Sequence, residues 1–180
     1  MKRFIYSIVP LLVLLITSCY RETEPFLNGP GFDGTGYRPL YATATELTHV
    51  QTAPARALKN PGKIYVLGNY LFVNEMGTGI HILDNTDPST PVNLSFVAIP
   101  GNYDLAVKGT WLYADNGPDL LVFNVANPRQ VQLSKRIKDA IPANNYPPHQ
   151  DVYFECADPK QGIVVGWEKV TMATRPSCFR

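Results

Sequence analysis

The sequence predicts an all-β chain of stacked repeats: a partial or open β-propeller of two to three four-stranded blades, preceded by a lipoprotein signal and a tether. Three observations carry this. Two segments about forty residues apart repeat each other, GNYLFVN (68–74) with GIHILD (79–84) against GTWLYAD (109–115) with DLLVFN (119–124). A repeat of that length is one supersecondary unit that buries its faces only by stacking on neighbours. Within each unit, short runs of Val, Ile, Leu, Tyr and Phe are separated by Gly, Asn and Pro, as in strands joined by turns. The chain also holds 16 Pro and 13 Gly in 180 residues, which suits a loop-rich β chain better than a helical one.

The elements follow in order. Lys2 and Arg3 precede an apolar run, Phe4 to Ile16, that is too short to span a bilayer and has the size of a signal-peptide core. It ends in Ile16-Thr17-Ser18-Cys19, which resembles a bacterial lipobox, so residues 1–18 read as a lipoprotein signal and Cys19 as the acylated N-terminus. Residues 19–61 read as a lipidated tether and a lead-in segment. Within them, Thr43 and Glu46 fit a capping box that opens a short helix at Ala44–Val50. Tyr20, Phe26, Phe32, Tyr37 and Tyr41 are expected to pack this region onto the first blade. Blades are expected at 62–100 and 101–142, each closed by an Asx-Pro corner (Asp87-Pro88 and Asn127-Pro128), because Pro cannot donate to a ladder. Residues 143–180 read as a partial third unit, a hairpin of Val152–Cys156 and Ile163–Val170 around a turn at 158–162.

From Gly62 to Pro128 the chain resembles the LVIVD-repeat lipoproteins, with LLVFNVANP (120–128) as its form of the namesake motif. GYRPLYATATEL upstream and DVYFECADPKQGIVVGWEKV downstream are similar to that family as well, so the resemblance covers about Gly36 to Arg180. It implies an exported β-propeller and no particular activity. Two clear units and a partial one do not close a ring, since closed propellers have four or more blades. The chain therefore reads as an N-terminal part of a longer protein, with self-association through unpaired blades or an open stack as the alternatives.

Removing Lys2 and Arg3 with the leader leaves fourteen basic and fifteen acidic residues. That balance shows no basic patch of the kind nucleic acid requires. Cys156 and Cys178 remain beside Cys19, and an even pair in an exported chain is a candidate disulfide. Asp104, Asp115 and Asp119 cluster with Asn116 and could supply oxygen ligands to a cation, but their spacing matches no calcium loop and Asp is a common turn residue. Glu75 and Asp84 flank the first Gly loop without a matching pair in the second repeat. His49, His81 and His149 match no ligand signature. No nucleophile elbow, phosphate loop or cofactor motif is present.

The expected function is a binding or scaffold module anchored by lipid in the envelope, in the outer membrane, acting on an envelope protein or polymer without a cofactor. The competing class is a subunit or fragment of a propeller enzyme, a hydrolase or quinone-linked dehydrogenase. Fold alone does not separate them. The expected core includes Leu71, Val73, Ile80, Ile82, Leu112, Leu120 and Val122.

Overall fold

Alternating apolar residues and Gly turns give thirteen strands among the described residues, arranged in three sheets. The structure, a computed structural model, describes residues 31–142 and 145–180. The signal, Cys19, Tyr20 and Phe26 lie outside the described residues. Among the described residues there is no α-helix, and no helix long and apolar enough to cross a membrane.

The first sheet is built by β3 (Pro61–Leu67), β4 (Tyr70–Glu75), β5 (Gly79–Asp84) and β6 (Val92–Ala98), antiparallel neighbours in chain order. A fifth strand, β2 (Gln51–Pro54), joins its outer edge beside β6. The second sheet repeats the plan with β7 (Leu105–Lys108), β8 (Trp111–Asn116), β9 (Asp119–Asn124) and β10 (Gln132–Ile137). The two sheets stack face to face. Phe72, Ile80, Ile82 and Val97 from the first meet Leu105, Val107, Leu112, Leu121 and Phe123 from the second in one buried core.

The stacking decides which alternate residues are buried. Ile80 and Ile82 are fully buried because the second sheet covers their face. Their counterparts Leu120 and Val122 were expected in the core and are only half-buried. They point to the other side of the second sheet, which no sheet of the described residues covers, and Leu121 and Phe123 are buried in their place. Leu71 is likewise half-buried, whereas Val73 and Leu112 lie in the interior as expected.

The third sheet departs further from expectation. Its strands are β1 (Thr35–Ala42), β11 (Tyr153–Phe154), β12 (Ile163–Thr171) and β13 (Cys178–Phe179), in the order β12-β1-β11-β13. The two halves of the expected hairpin do not pair with each other. β1, from the lead-in segment, lies between them, antiparallel to β12 over its whole length and parallel to β11. The connection between β11 and β12 carries a 3-10 turn at Pro159–Gln161, capped by Asp158 accepting from the Lys160 N–H at 2.9 Å. Nor does this sheet continue the stack, since none of its residues belongs to the core between the other two.

Instead, β12 crosses the loop ends of both stacked sheets. Gly77, between β4 and β5, has φ +78°, and a Cβ there would come within 3.0 Å of the Val165 carbonyl oxygen. Gly101, before β7, has φ +70°, and a Cβ there would meet Val165 at 3.1 Å. Both positions need a residue that tolerates positive φ and leaves room for the crossing strand.

Two smaller corrections concern the lead-in segment. The capping box forms, with Thr43 N–H donating to Glu46 Oε2 at 2.7 Å and Glu46 N–H donating to Thr43 Oγ1 at 3.2 Å. It opens only the single 3-10 turn Glu46–Thr48, because the chain must extend again to enter β2 at Gln51. Phe32, Tyr37 and Tyr41 serve the third sheet rather than the first blade. Phe32 packs edge-on to Tyr153, Tyr37 lies on the His149 ring, and the Tyr41 hydroxyl accepts from Asp158 N–H at 2.7 Å.

Candidate functional site

Because β12 bridges the loop ends, a cleft of about 780 Å³ is left beneath it. All three sheets contribute to its wall: Lys63 from the first, Asp115 from the second with Asp104 just before it, Tyr41 and Ile163 from the third. Tyr103 and Tyr146 add phenol rings from the connecting segments. Both tyrosines and Lys63 also line a second recess of about 280 Å³, together with Trp167. Apolar walls with a few polar tips are the ordinary character of a ligand site.

The floor is held by a buried polar relay. Asn74 and Asp115 occupy the same position in the two repeats, at the ends of β4 and β8. Asn102, fully buried in the loop between the sheets, joins them. Asn74 Nδ2 donates to Asn102 Oδ1 at 2.6 Å, and Asn102 Nδ2 donates to Asp115 Oδ1 at 2.6 Å. The same carboxylate oxygen accepts the backbone N–H groups of Tyr103 at 2.8 Å and Asp104 at 2.9 Å. Such a network fixes the loop because every member would lose a partner if the loop moved. Asn74 Oδ1 faces Gly62, where any side chain would strike it.

Burial raises Asp115 above the usual aspartate range, against the pull of the hydrogen bonds from Asp104, Tyr103 and Asn102. Burial, with the Asp115 charge nearby, pushes the Tyr103 phenol up to about 12. Tyr103, which lines the cleft, thus keeps its proton at any physiological pH.

The carboxylates considered for a cation go to separate tasks. Asp104 pairs with Lys63 at 2.6 Å on the rim. Asp115 clamps the loop. Asp119 pairs with Arg136 at 2.7 Å and accepts the Asp139 N–H at 3.1 Å. Arg136 also donates to Asn116 Oδ1 and the Leu47 carbonyl, tying the 3-10 turn to the second sheet. Among the described residues no group of His, Cys, Asp and Glu is placed to hold a metal ion. Cys156 and Cys178 form a disulfide with Cα atoms 5.4 Å apart, joining β13 to the end of β11.

A second polar cluster lies on the outer face of the first sheet. Glu75, nearly buried, receives Arg56 Nη2 at 2.9 Å and contacts His81 Nε2 at 2.7 Å. Asn93 Nδ2 sits 3.1 Å from His81 Nδ1, and Arg56 stacks 3.8 Å over the Phe96 ring. Arg56 belongs to the crossover from β2 at the outer edge to β3 at the inner edge, which must pass over this face. The cluster pins the crossover down. Glu75 and His81 share a face once Val73 is paired with His81, but nothing in the sequence around Arg56 announces its part. Asp84, by contrast, accepts from Thr86 in its own turn, and His49 and His149 are exposed on other elements.

The LVIVD repeat family model matches residues 61–98, the span from β3 through β6. No curated protein and no solved structure matches the chain.

Proposed function

We propose that this chain, which carries an LVIVD repeat at residues 61–98, is a lipid-anchored binding module of the cell envelope. Cys19 holds it to the outer membrane, and the cleft under β12 grips a strand of extracellular polymer, a saccharide in the first instance. The observation that carries the binding role is the cleft of about 780 Å³ with Tyr41, Tyr103 and Tyr146 on its walls. Phenol rings offer flat faces to the C–H side of a sugar and hydroxyls to its oxygens. Lys63, exposed on the rim, keeps ammonium N–H groups beyond its bond to Asp104 to donate. The cleft is built from three sheets that hold one another, so it is preformed, which lowers the ordering cost of binding. The anchoring role rests on the leader and the Ile16–Cys19 box alone.

Binding is preferred to the hydrolytic alternative because the carboxylates at the cleft are occupied by the fold. Asp115 accepts three N–H groups through one oxygen, and Asp104 is neutralised by Lys63. A general acid–base pair would need them free to face a substrate.

The test has two arms. Cys19→Ala should move the protein out of the membrane fraction or leave it unprocessed; unchanged partition and processing defeats the anchoring. For the cleft, the full chain in mild detergent is titrated with purified envelope polysaccharide while its tyrosine fluorescence is followed. Tyr103→Ala and Lys63→Ala should each weaken binding about tenfold while Lys108→Ala, away from the cleft, leaves it unchanged. Binding that is absent, or indifferent to Tyr103, defeats the cleft reading.

A further inference from the structure

The stack of two sheets has two ends, and each end is one half of the interface found in its middle. In that interface the face of the first sheet carrying Phe72, Ile80 and Ile82 meets the face of the second carrying Leu105, Val107 and Leu112. The first sheet repeats the second face: Ile64 and Val66 stand where Leu105 and Val107 stand, paired to Val73 and Leu71 as those are to Ala114 and Leu112. Leu105 and Val107 are 8 % and 4 % exposed; Ile64 and Val66 are 63 % and 59 % exposed. The second sheet repeats the first face, with Tyr113, Leu120 and Val122 in the places of Phe72, Ile80 and Ile82. Trp111 and Ile137, both 39 % exposed, extend that surface.

We infer that the chain associates with a second copy of itself head to tail. The Val122 face of one copy covers the Ile64–Val66 strip of the next and continues the internal interface across the boundary between molecules. The occupant is a second copy because the chain carries, half-exposed and covered by no described sheet, the repeat equivalent of the face that fits Leu105 and Val107 within the molecule. The Arg56 crossover covers the part of the first sheet near β5 and β6 and leaves the β3 strip open, with Leu58 at its border 41 % exposed. The contact is heterologous, using different surfaces on the two partners, so it closes a ring or runs on. Two copies bring together four stacked sheets built from the described residues, the smallest number with which propeller blades ordinarily close. This inference is independent of the cleft.

The test uses the full chain in mild detergent and sedimentation velocity over a range of concentrations. The wild-type chain should sediment as a dimer or larger. Val66→Glu and Val122→Glu each spoil one half of the contact and should each weaken association at least tenfold. An equimolar mixture of the two still contains one intact Val122 face and one intact Ile64–Val66 strip, and should form a one-to-one pair that neither variant forms alone. That rescue also shows that both variants are folded. A wild-type chain that stays monomeric at every concentration overturns the inference. So does a Val122→Glu chain that associates as well as the wild type, which would mean like faces pair, and so does a mixture that stays monomeric.

Discussion

Val66 and Val107 are the same residue at the same place in successive repeats, two positions before the turn glycine, yet Val107 is 4 % exposed and Val66 59 %. The first sheet lies on Val107, and no described residue of the chain replaces it over Val66. Identical side chains in identical local structure should therefore differ in their weight. Val107→Ala removes fully packed methyl groups and should cost about 1–3 kcal/mol of unfolding free energy. Val66→Ala, measured where the chain is monomeric, should cost less than about 0.5 kcal/mol. Denaturant melts of the two variants check this; equal losses would show that β3 is covered in the monomer.

The same contrast applies to β8 and β9. Leu112 is fully buried between the sheets, and its truncation to Ala should cost roughly 2–5 kcal/mol. Leu120→Ala, on the half-buried outer face, should cost clearly less. If Leu120 proved the more sensitive, the side assigned to each strand residue would be reversed.

Removing the disulfide should loosen one corner of the third sheet and leave the rest. Cys156 and Cys178 are separated by 22 residues, and closing a loop of that length stabilises a fold by about 3 kcal/mol. β13 pairs with β11 through only two residues, so it depends on the bridge, whereas β1 and β12 pair along eight. With reductant, or in a Cys156→Ser/Cys178→Ser chain, the melting temperature should fall. Amide exchange should quicken at 178–180 and stay slow at 163–171. Uniform quickening over both would mean that the bridge holds the whole sheet.

Asp115 gives stability a pH dependence of unusual sign. Its folded pKa lies above 3.8 because of burial, so the folded state holds the proton more tightly than the unfolded chain. Its contribution therefore improves as pH falls through the folded value toward 3.8 and worsens as pH rises. The exposed Asp84 and Asp87 act oppositely. Hydrogen bonds from the Thr86 and Ser89 side chains hold them below 3.8, and their contribution is lost as acid protonates them. Asp115→Asn keeps an acceptor for the loop N–H groups and removes the titration. The wild-type chain should gain stability relative to this variant as pH falls from 7 toward about 4, measured by urea melts at each pH. Parallel curves would place Asp115 in the ordinary range.

Much of the fold was legible because the repeat is local. Gly68 and Gly109, the apolar alternation after them and the Asx-Pro corners locate β3 to β6, β8 and β9 within a residue or two, but they do not announce β2, which becomes a strand only by pairing with β6. β1 was not legible. Gly34, Gly36 and Pro39 argue against a strand, and the partner that makes it one, β12, lies about 130 residues away. The cleft was equally hidden. Lys63, Tyr103 and Tyr146 carry no shared spacing and meet only because β12 crosses the loop ends.

The sequence by itself determined that this chain is all-β and repetitive and which residues form its central strands, since alternation and turn chemistry act over a few neighbours. Only the tertiary structure decided which side of each strand is buried. Alternation offers two equivalent faces, and the choice between Leu120 and Leu121, or between Val66 and Val107, falls to whichever face another sheet comes to cover.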